Sequence, residues 1–414
     1  MPPILEMNDA RRLPLRTLPM TASAAPEWYP GLQALRGIAA LGVFVYHLVG
    51  VTNVLAPVPL ETFYAFNTGG IGVMLFFGLS GFLILGRTRD RADKFLLDRA
   101  RRIFPLYWLS LLLTAIAMSF MGFTMRLSPM TVLLLPAAEQ SLTLVPYWSL
   151  VFEVHFYFLV LILALLLGRL AILAVLAWGL VAWFSATWPV VFERDAFPAD
   201  WQSVYLAAYN AFFAIGALAG LSFLRPRWAW PSALLAVFFF FGYWRTVPWF
   251  LVHILELAPL PAFLVHPSFG YATMAYGTFF AVRACLAWQA QGLLGRILAR
   301  VGDASYGIYL IHATMLQLGR HFMQEMGWSA SFWPSLLVLG LIAAIPSYAF
   351  GLFDVRLQRL MKRGQRWLAG RRRGPLGAGI AGITQPAGAV SGGTRHSGLG
   401  PMRRFSGDSG RESG

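Results

Sequence analysis

The stretch Leu32–His47, LQALRGIAALGVFVYH, is an apolar run that is interrupted by two ionisable side chains, Arg36 and His47. Apolar runs of this kind belong to helices that cross the hydrocarbon core of a membrane in about 20 residues. The two side chains are eleven positions apart. That distance is about three turns, so they share one helix face roughly 16 Å apart. A cation and an imidazole are costly inside a membrane, and they indicate a functional site.

The composition of the whole chain agrees with a membrane protein. Of its 414 residues, 57% are hydrophobic and only 12% are charged, whereas soluble domains carry about 25% charged residues. The formal net charge is +15. A nucleic-acid-binding protein would collect this charge on a soluble face, but here the basic residues lie between apolar runs. We therefore expect an integral protein of the lipid bilayer with no nucleic-acid partner.

Ten apolar stretches are long enough to span a membrane at about 17–25 residues each. The sequence therefore predicts an all-α, polytopic membrane protein, a bundle of about ten transmembrane helices. The predicted spans lie near residues 31–51, 69–86, 103–122, 147–168, 170–188, 204–224, 229–247, 270–290, 304–323 and 333–353.

Basic residues predict the orientation, because Lys and Arg accumulate in cytoplasmic loops. The connection Arg87–Arg102 holds seven of them, and the segment Arg356–Arg373 after the tenth span holds eight. The intervening connections 52–68 and 324–332 hold none. Ten spans with both termini in the cytoplasm put every basic cluster on one side. The Pro-rich piece Pro248–Pro267 is then an outer loop or a re-entrant segment.

The predicted domain organisation has three parts. Residues 1–30 form a short cytoplasmic lead, and residues 31–355 form the ten-span membrane domain. Residues 356–414 are first basic and then, from Gly374, rich in Gly and Ser. Such a composition cannot build a core, so we expect a disordered cytoplasmic tail.

The intramembrane polar residues form a series by depth. Arg99 and Arg102 precede the third span at the inner surface, Arg36 lies about 8 Å further in, and His47 lies in the outer third of the first span. Arginine suits phosphate groups, since its guanidinium forms several charge-assisted bonds. This series predicts a cationic entrance at the cytoplasmic surface of the membrane, with a histidine deeper in the membrane.

The fourth span supplies a carboxylate at a depth similar to that of His47. Ser149, Glu153 and Tyr157 are spaced by four residues and share one helix face. His312 in the ninth span lies about 12 Å from the inner surface. Histidine–carboxylate pairs support proton transfer. The chain shows no HExxH motif, CxxC motif or carboxylate cluster, so no metal site is predicted.

Each of these residues also has a structural interpretation. Arg99 and Arg102 can be topology signals alone, and Glu153 can be an ion-pair partner of His47. All of them can serve as hydrogen-bonding contacts between helices. A transporter or exporter of glycan units, in which Arg36, His47 and Glu153 line a polar path, is a further alternative.

Five segments in order resemble the acyltransferase 3 family of membrane enzymes, which O-acylate bacterial surface polysaccharides and exopolysaccharides. The segments are LQALRGIAALGVFVYH (32–47), GVMLFFGLSGFLI (72–84), FLLDRARRIFPLYW (95–108), YWSLVFEVHFY (147–157) and SYGIYLIH (305–312). One departure is Gln33, where many members have Asp, and in this the chain is similar to the exopolysaccharide-acetylase branch.

The resemblance assigns roles to the matching residues. The Arg-x10-His pattern of the family falls on Arg36 and His47, its RxxR pattern on Arg99 and Arg102, and its WSLxxE pattern on Trp148, Ser149 and Glu153. It implies acetyl-CoA as the acyl donor and co-substrate, with no tightly bound cofactor. It also implies a carbohydrate acceptor, or its lipid-linked precursor, and a location in the bacterial inner membrane.

We therefore expect the three arginines to bind acetyl-CoA and His47 to act as general base, with Glu153 as a second catalytic residue that orients it. Ser149, Trp148, Tyr157 and His312 are expected to contact substrate. Direct transfer and an acetyl-histidine intermediate both remain open at this point.

Overall fold

The computed structural model describes residues 29–59, 67–85, 92–125, 127–136, 146–187, 200–222, 228–243 and 267–372. Within these ranges every regular element is a helix and none is a strand, which confirms the all-α prediction. The chain divides into two units, Met1–Arg359 and Leu360–Gly414. The candidate site lies in the first unit, and the described part of the second is the end of the last helix.

Twelve α-helices follow one another in the described ranges. A 3₁₀ turn, Gly168–Leu170, joins the fifth to the sixth, and a π-helical segment, Phe238–Tyr243, continues the ninth. The helices are α1 (Pro30–Leu55), α2 (Thr68–Leu85), α3 (Ala92–Phe120), α4 (Pro129–Leu133), α5 (Trp148–Leu167), α6 (Ala171–Thr187), α7 (Trp201–Leu206), α8 (Tyr209–Leu221), α9 (Ala229–Val237), α10 (Pro267–Ala287), α11 (Leu293–Glu325) and α12 (Phe332–Arg372).

The helices agree with a multi-pass membrane protein. Five helical segments in the described ranges are long and apolar enough to cross a membrane, and three shorter apolar helices accompany them. Each of the ten predicted spans overlaps a helix. The number of ten spans and the cytoplasmic side of the termini stay predictions. The five long segments are Pro30–Leu55, Leu96–Phe120, Trp148–Leu167, Trp201–Leu221 and Phe332–Gln365.

Several helices are longer than the spans that hydropathy predicts. Helix α3 begins at Ala92, well before residue 103, so Arg99 and Arg102 lie on the helix and not in the connection before it. Helix α11 begins at Leu293 rather than near residue 304. Hydropathy marks only the part of a helix that matches the hydrocarbon core. The backbone hydrogen bonds carry the same helix on into its charged flank.

The predicted sixth span, 204–224, is broken into α7 and α8 at Ala207 and Ala208. The side-chain amide of Asn210 donates to the carbonyl of Val204 at 2.6 Å. This bond satisfies a carbonyl near the end of α7 that has lost its helical partner. The sequence marks the break only by this asparagine inside an apolar run.

Glycines bring α1 and α11 into close, parallel contact. A Cβ atom added to Gly302 would lie 1.8 Å from the carbonyl oxygen of Gln33, and one added to Gly37 would lie 2.2 Å from that of Leu298. Such backbone-to-backbone approach is open only to glycine, and small residues are typical of helix interfaces in membranes. The helix with Arg36 and His47 is thereby fixed beside the helix with His312.

The main apolar core surrounds α2, α5 and α8. Phe213 of α8 stacks on Phe156 of α5 with ring centroids 4.0 Å apart, and on Phe77 of α2 at 4.6 Å. Helices α2 and α8 are held together by glycine as well, since a Cβ on Gly216 would lie 1.7 Å from the carbonyl oxygen of Gly78. This core forms the wall behind the site.

Three predicted segments fall largely outside the described residues. These are the cytoplasmic lead, 1–30, of which only Tyr29 and Pro30 are described, the Pro-rich piece before Pro267, and the tail beyond Arg372.

Candidate functional site

A cavity lies between α1, α2, α3, α5 and α11. Its volume is about 90 Å³, enough for several water-sized groups, since one water needs about 10–15 Å³. Each of its ten polar side chains carries a charge or a hydroxyl. They are Arg36, Ser80, Arg99, Arg102, Ser149, Glu153, Tyr157, Ser305, Tyr306 and Tyr309.

Arg36 reaches this cavity from α1 as a half-buried cation. Its guanidinium forms no ion pair or hydrogen bond with another residue of the described ranges, although Glu153 and Asp354 act on it through space. Within the same ranges the hydroxyl of Ser305, on the cavity wall, is buried without a hydrogen-bond partner. Buried polar groups in native proteins normally have partners, so these two groups point to a polar or anionic ligand.

The other two arginines are held by aromatic rings and by one acid. The guanidinium carbon of Arg99 lies 5.0 Å from the ring centroid of Tyr157. Arg102 lies 5.3 Å from the ring centroid of Tyr306 and forms an ion pair with Asp354, with Nη1 and Oδ2 3.1 Å apart. Arg102 thus also has a structural role between α3 and α12.

Asp354 is a functional candidate that the sequence analysis missed. Its side chain is 0% exposed, and its Oδ1 accepts a hydrogen bond from Gln358 at 3.4 Å. The signal was present in the sequence, because Asp354 is the one acid in the apolar run that precedes the basic segment 356–373. A lone carboxylate at such a position predicts an arginine partner.

Glu153 is anchored by two hydroxyl groups. Ser80 donates to its Oε1 at 2.9 Å, and the hydroxyl of Tyr157 donates to the same oxygen. The prediction that Glu153 orients His47 is not what the structure shows. Glu153 bonds to α2 and to its own helix, because Tyr157 lies one turn further along α5 and directs its hydroxyl back to the carboxylate.

His47 is paired with another histidine. Its Nδ1 lies 2.9 Å from the carbonyl oxygen of Val43 and 3.2 Å from Nε2 of His312. His312 is almost fully buried, with 1% of its surface exposed, while His47 is half-buried. The two ring centroids lie 5.1 Å apart. Among the residues that the structure describes, the hydrogen-bond partners of His47 lie at Nδ1 and none lies at Nε2.

Tyr309 connects the cavity with the histidine pair. Its hydroxyl lies 2.6 Å from Ser149 Oγ and donates to the carbonyl of Pro146 at 2.9 Å. Its own carbonyl oxygen lies 2.8 Å from Nδ1 of His312. Tyr309 was not singled out from the sequence, although it lies in the quoted segment SYGIYLIH.

The structure brings most of the predicted residues to one place. The cavity lining contains six of the nine, namely Arg36, Arg99, Arg102, Ser149, Glu153 and Tyr157. His47 and His312 contact each other outside that lining. Trp148 packs its ring against Phe152 and Tyr209, with centroids 6.0 Å and 5.2 Å away.

Sequence comparison decides the family. The family described as acyltransferase domain matches residues 29–351 of this chain. The chain belongs to the acyltransferase 3 family. The match includes every helix that carries a cavity residue, so the protein is a membrane acyltransferase and hence an enzyme.

Three curated proteins are similar to this acyltransferase. A putative acetyltransferase, ORF330, of Acidianus two-tailed virus is 25% identical over 305 residues, which is 70% of this chain and 84% of that protein. Acyltransferase MdmB of Streptomyces mycarofaciens is 25% identical over 381 residues, 83% of this chain and 93% of that protein. Exopolysaccharide production protein ExoZ of Rhizobium meliloti (strain 1021) is 34% identical over 110 residues, 23% of this chain and 35% of that protein. No solved structure matches the chain.

Proposed function

We propose that this acyltransferase moves an acetyl group from cytoplasmic acetyl-CoA to a hydroxyl of a cell-envelope or exported polysaccharide, or of its lipid-linked precursor, in the bacterial inner membrane. His47 acts as the general base. The three arginines of the cavity bind the donor, and the acceptor approaches His47. The names of the relatives support this class of reaction, since one is a putative acetyltransferase and another an exopolysaccharide production protein.

The cavity supports an anionic donor. Acetyl-CoA carries phosphate groups, and a guanidinium binds phosphate through several charge-assisted hydrogen bonds. Arg36 has no hydrogen bond or ion pair within the described ranges that a ligand would need to break. The hydroxyl of Ser305, in the lining of the same cavity, has no hydrogen-bond partner in those ranges either. Arg102 keeps Asp354 as its partner, so we assign the larger share of donor binding to Arg36.

The chemistry is a direct acyl transfer. Nε2 of His47 removes the proton of the sugar hydroxyl while the oxygen attacks the thioester carbonyl carbon. A C–O bond forms, the C–S bond breaks, and the proton on His47 passes to the departing sulfur. A general base of this kind accelerates transfer by about 10²–10⁴-fold.

Tyr309 lies between the donor site and the base in this scheme. Its ring lines the cavity, and the same ring lies 5.8 Å from that of His312. Because His47 is outside the cavity lining, the Tyr309 side chain moves aside in this scheme to let the thioester reach it. Release of the Tyr309 hydroxyl from Ser149 and Pro146 opens that connection.

The observation that carries the proposal is the arrangement along α1. One helix presents to a polar cavity an arginine that has no ion pair or hydrogen bond within the described ranges. Eleven positions later it carries a histidine whose Nδ1 edge has partners in those ranges and whose Nε2 edge has none. A general base needs an imidazole nitrogen with an available lone pair, and this arrangement leaves that lone pair on Nε2.

The experiment compares cells that express the wild-type protein with cells that express His47→Ala. The O-acetyl content of their surface polysaccharide is measured by proton NMR, and the purified proteins are tested for binding of acetyl-CoA. We expect wild-type cells to gain O-acetyl groups and His47→Ala cells not to, while both proteins bind acetyl-CoA. Equal O-acetylation in both kinds of cell would exclude the catalytic role of His47. Failure of the purified wild-type protein to bind or consume acetyl-CoA would favour transport of glycan units.

A further inference from the structure

Two histidines in direct contact at the centre of a helix pair call for an explanation beyond packing. His47 lies on α1 and His312 on α11, and glycines on both helices hold the two backbones together. A buried imidazole that only filled space would not need an aligned ring nitrogen of a second imidazole 3.2 Å away. The hydrogen-bond partners of each ring nitrogen show which of the two histidines donates.

The protons of His312 follow from its backbone contacts. Its Nδ1 lies 2.8 Å from the carbonyl oxygen of Tyr309 and 3.2 Å from that of Ile308. Carbonyl oxygens only accept hydrogen bonds, so Nδ1 of His312 carries a proton. In the neutral ring the other nitrogen, Nε2, is then an acceptor. It points at Nδ1 of His47.

The protons of His47 follow in turn. Its Nδ1 faces two acceptors, the carbonyl oxygen of Val43 at 2.9 Å and Nε2 of His312 at 3.2 Å. An unprotonated Nδ1 would place three lone pairs against one another, so Nδ1 donates. The lone pair of a neutral His47 is therefore on Nε2, on the half-buried edge that faces away from His312.

We propose that His312 is a positioning residue for catalysis. Together with the carbonyl oxygen of Val43, it holds His47 in the tautomer with Nδ1 protonated, so that Nε2 receives the proton of the acceptor hydroxyl. When Nε2 takes that proton, the Nδ1–H group of the cationic ring donates more strongly to His312, which stabilises the charge. This proposal rests on the proposed role of His47 as the base, and it replaces Glu153 as the group that orients it.

His155 supplies a matched control. Like His312 it is buried, and its Nδ1 lies 2.7 Å from the carbonyl oxygen of a residue one turn earlier, Val151. Its ring packs against those of Trp201 and Tyr205, at centroid distances of 5.3 Å and 5.9 Å. It lies outside the cavity and has no histidine partner within the described ranges. Substitution of His155 therefore reports the cost of losing a packed, backbone-bonded histidine without any role in transfer.

The kinetic test uses His312→Leu, His312→Gln and His155→Leu in purified full-length protein with acetyl-CoA and de-O-acetylated polysaccharide. A glutamine amide oxygen reaches the place of Nε2 and accepts from His47, whereas leucine cannot. We expect His312→Leu to lower kcat about 10–100-fold, part of the 10²–10⁴-fold that a general base supplies. We expect its KM for acetyl-CoA to stay within about twofold, His312→Gln to recover most of kcat, and His155→Leu to retain it.

The spectroscopic test needs no change at His312. The protein is labelled with ¹⁵N-histidine, and the signals of His47 among the seven histidines are assigned by their loss in His47→Ala. We expect a protonated Nδ1 and an unprotonated Nε2 in the wild-type protein. A proton on Nε2 of neutral His47 would overturn the proposal, as would an unchanged kcat in folded His312→Leu.

The proposed roles of His47 and His312 can be tested separately. If His47→Ala is as active as the wild type, the proposed function of His47 fails whatever His312 does. If His47→Ala is inactive and His312→Leu is fully active, only the positioning role of His312 fails. If His312→Leu does not fold, the role of His312 is tested by the other two measurements. His312→Gln must then be active, and the wild-type ¹⁵N spectrum must show His47 protonated at Nδ1.

Discussion

His312 Nε2 lies 3.2 Å from His47 Nδ1, across the interface of two parallel helices. This contact links two residues that are 265 positions apart in the chain. Neither histidine belongs to the lining of the cationic cavity, which contains Arg36. The account therefore assigns donor binding and proton transfer to different ends of α1, and substitutions at each end have different expected effects.

Arg36→Ala is expected to weaken donor binding. A hydrogen bond to a charged group contributes about 1.5–3 kcal/mol, so the Kd for acetyl-CoA should rise about 10–100-fold. The control is Arg320→Ala, because Arg320 is also on a membrane helix but bonds to Gln317 at 3.0 Å outside the cavity. Calorimetric titration of the purified variants with acetyl-CoA measures both. A Kd for acetyl-CoA equal to that of the wild type in Arg36→Ala would show that Arg36 does not bind the donor.

Arg102→Ala is expected to destabilise the protein as well as affect the donor. It leaves the carboxylate of Asp354, which is 0% exposed, without its ion-pair partner. Removal of one partner of a buried pair costs about 3–5 kcal/mol, and the 29% exposure of Arg102 places this pair at or below the lower end of that range.

The matched variant is Arg102→Ala combined with Asp354→Asn, which removes the isolated charge. Thermal unfolding in detergent, followed by intrinsic fluorescence, should show a lower Tm for the single variant and recovery of most of the loss in the double one. Equal Tm values for the single variant and the wild type would mean that the pair has no structural role.

Glu153→Gln tests the reassignment of Glu153. A glutamine oxygen still accepts from Ser80 and Tyr157, so the local geometry survives and only the charge is lost. The difference between a charged and a neutral acceptor is about 1 kcal/mol, and we expect kcat to fall by no more than about tenfold. Steady-state kinetics beside His47→Ala measures it. A loss as large as that of His47→Ala would restore Glu153 to the chemical step.

Gly302→Ala tests the helix contact that brings the histidines together. The added Cβ would meet the carbonyl oxygen of Gln33 at 1.8 Å, so α1 and α11 must move apart. We expect a lower Tm together with a loss of transfer activity. In Gly364→Ala the added Cβ meets nothing within 4 Å, and alanine favours helix by about 1 kcal/mol, so stability should be unchanged or slightly higher. Unaltered stability and activity in Gly302→Ala would contradict the close contact.

Parts of this site follow from the sequence because they depend on one helix. Helical periodicity places Arg36 and His47 on one face of α1. It likewise places Ser149, Glu153 and Tyr157 on one face of α5, so the shared faces of these five residues could be predicted. The apolar runs likewise predict helices, because no other element satisfies its backbone alone in a membrane.

Pairings between helices do not follow in this way. The partner of His47 was expected on α5 and is on α11, because glycines at the crossing of α1 and α11 decide which helices touch. The partner of Arg102, Asp354, comes from the last helix. Depth in the membrane indicates which side chains lie at the same level, but it does not predict which helix faces pack against each other.

The central claim is that His47 is the base of an acetyl transfer from acetyl-CoA. The most direct test is the single-turnover rate of acetyl transfer from acetyl-CoA to de-O-acetylated polysaccharide by purified His47→Ala, compared with the wild type at saturating donor. We expect a rate at least about 100-fold lower, with the Kd for acetyl-CoA within about twofold, since donor binding is assigned to the arginines of the cavity. A rate equal to that of the wild type would contradict it.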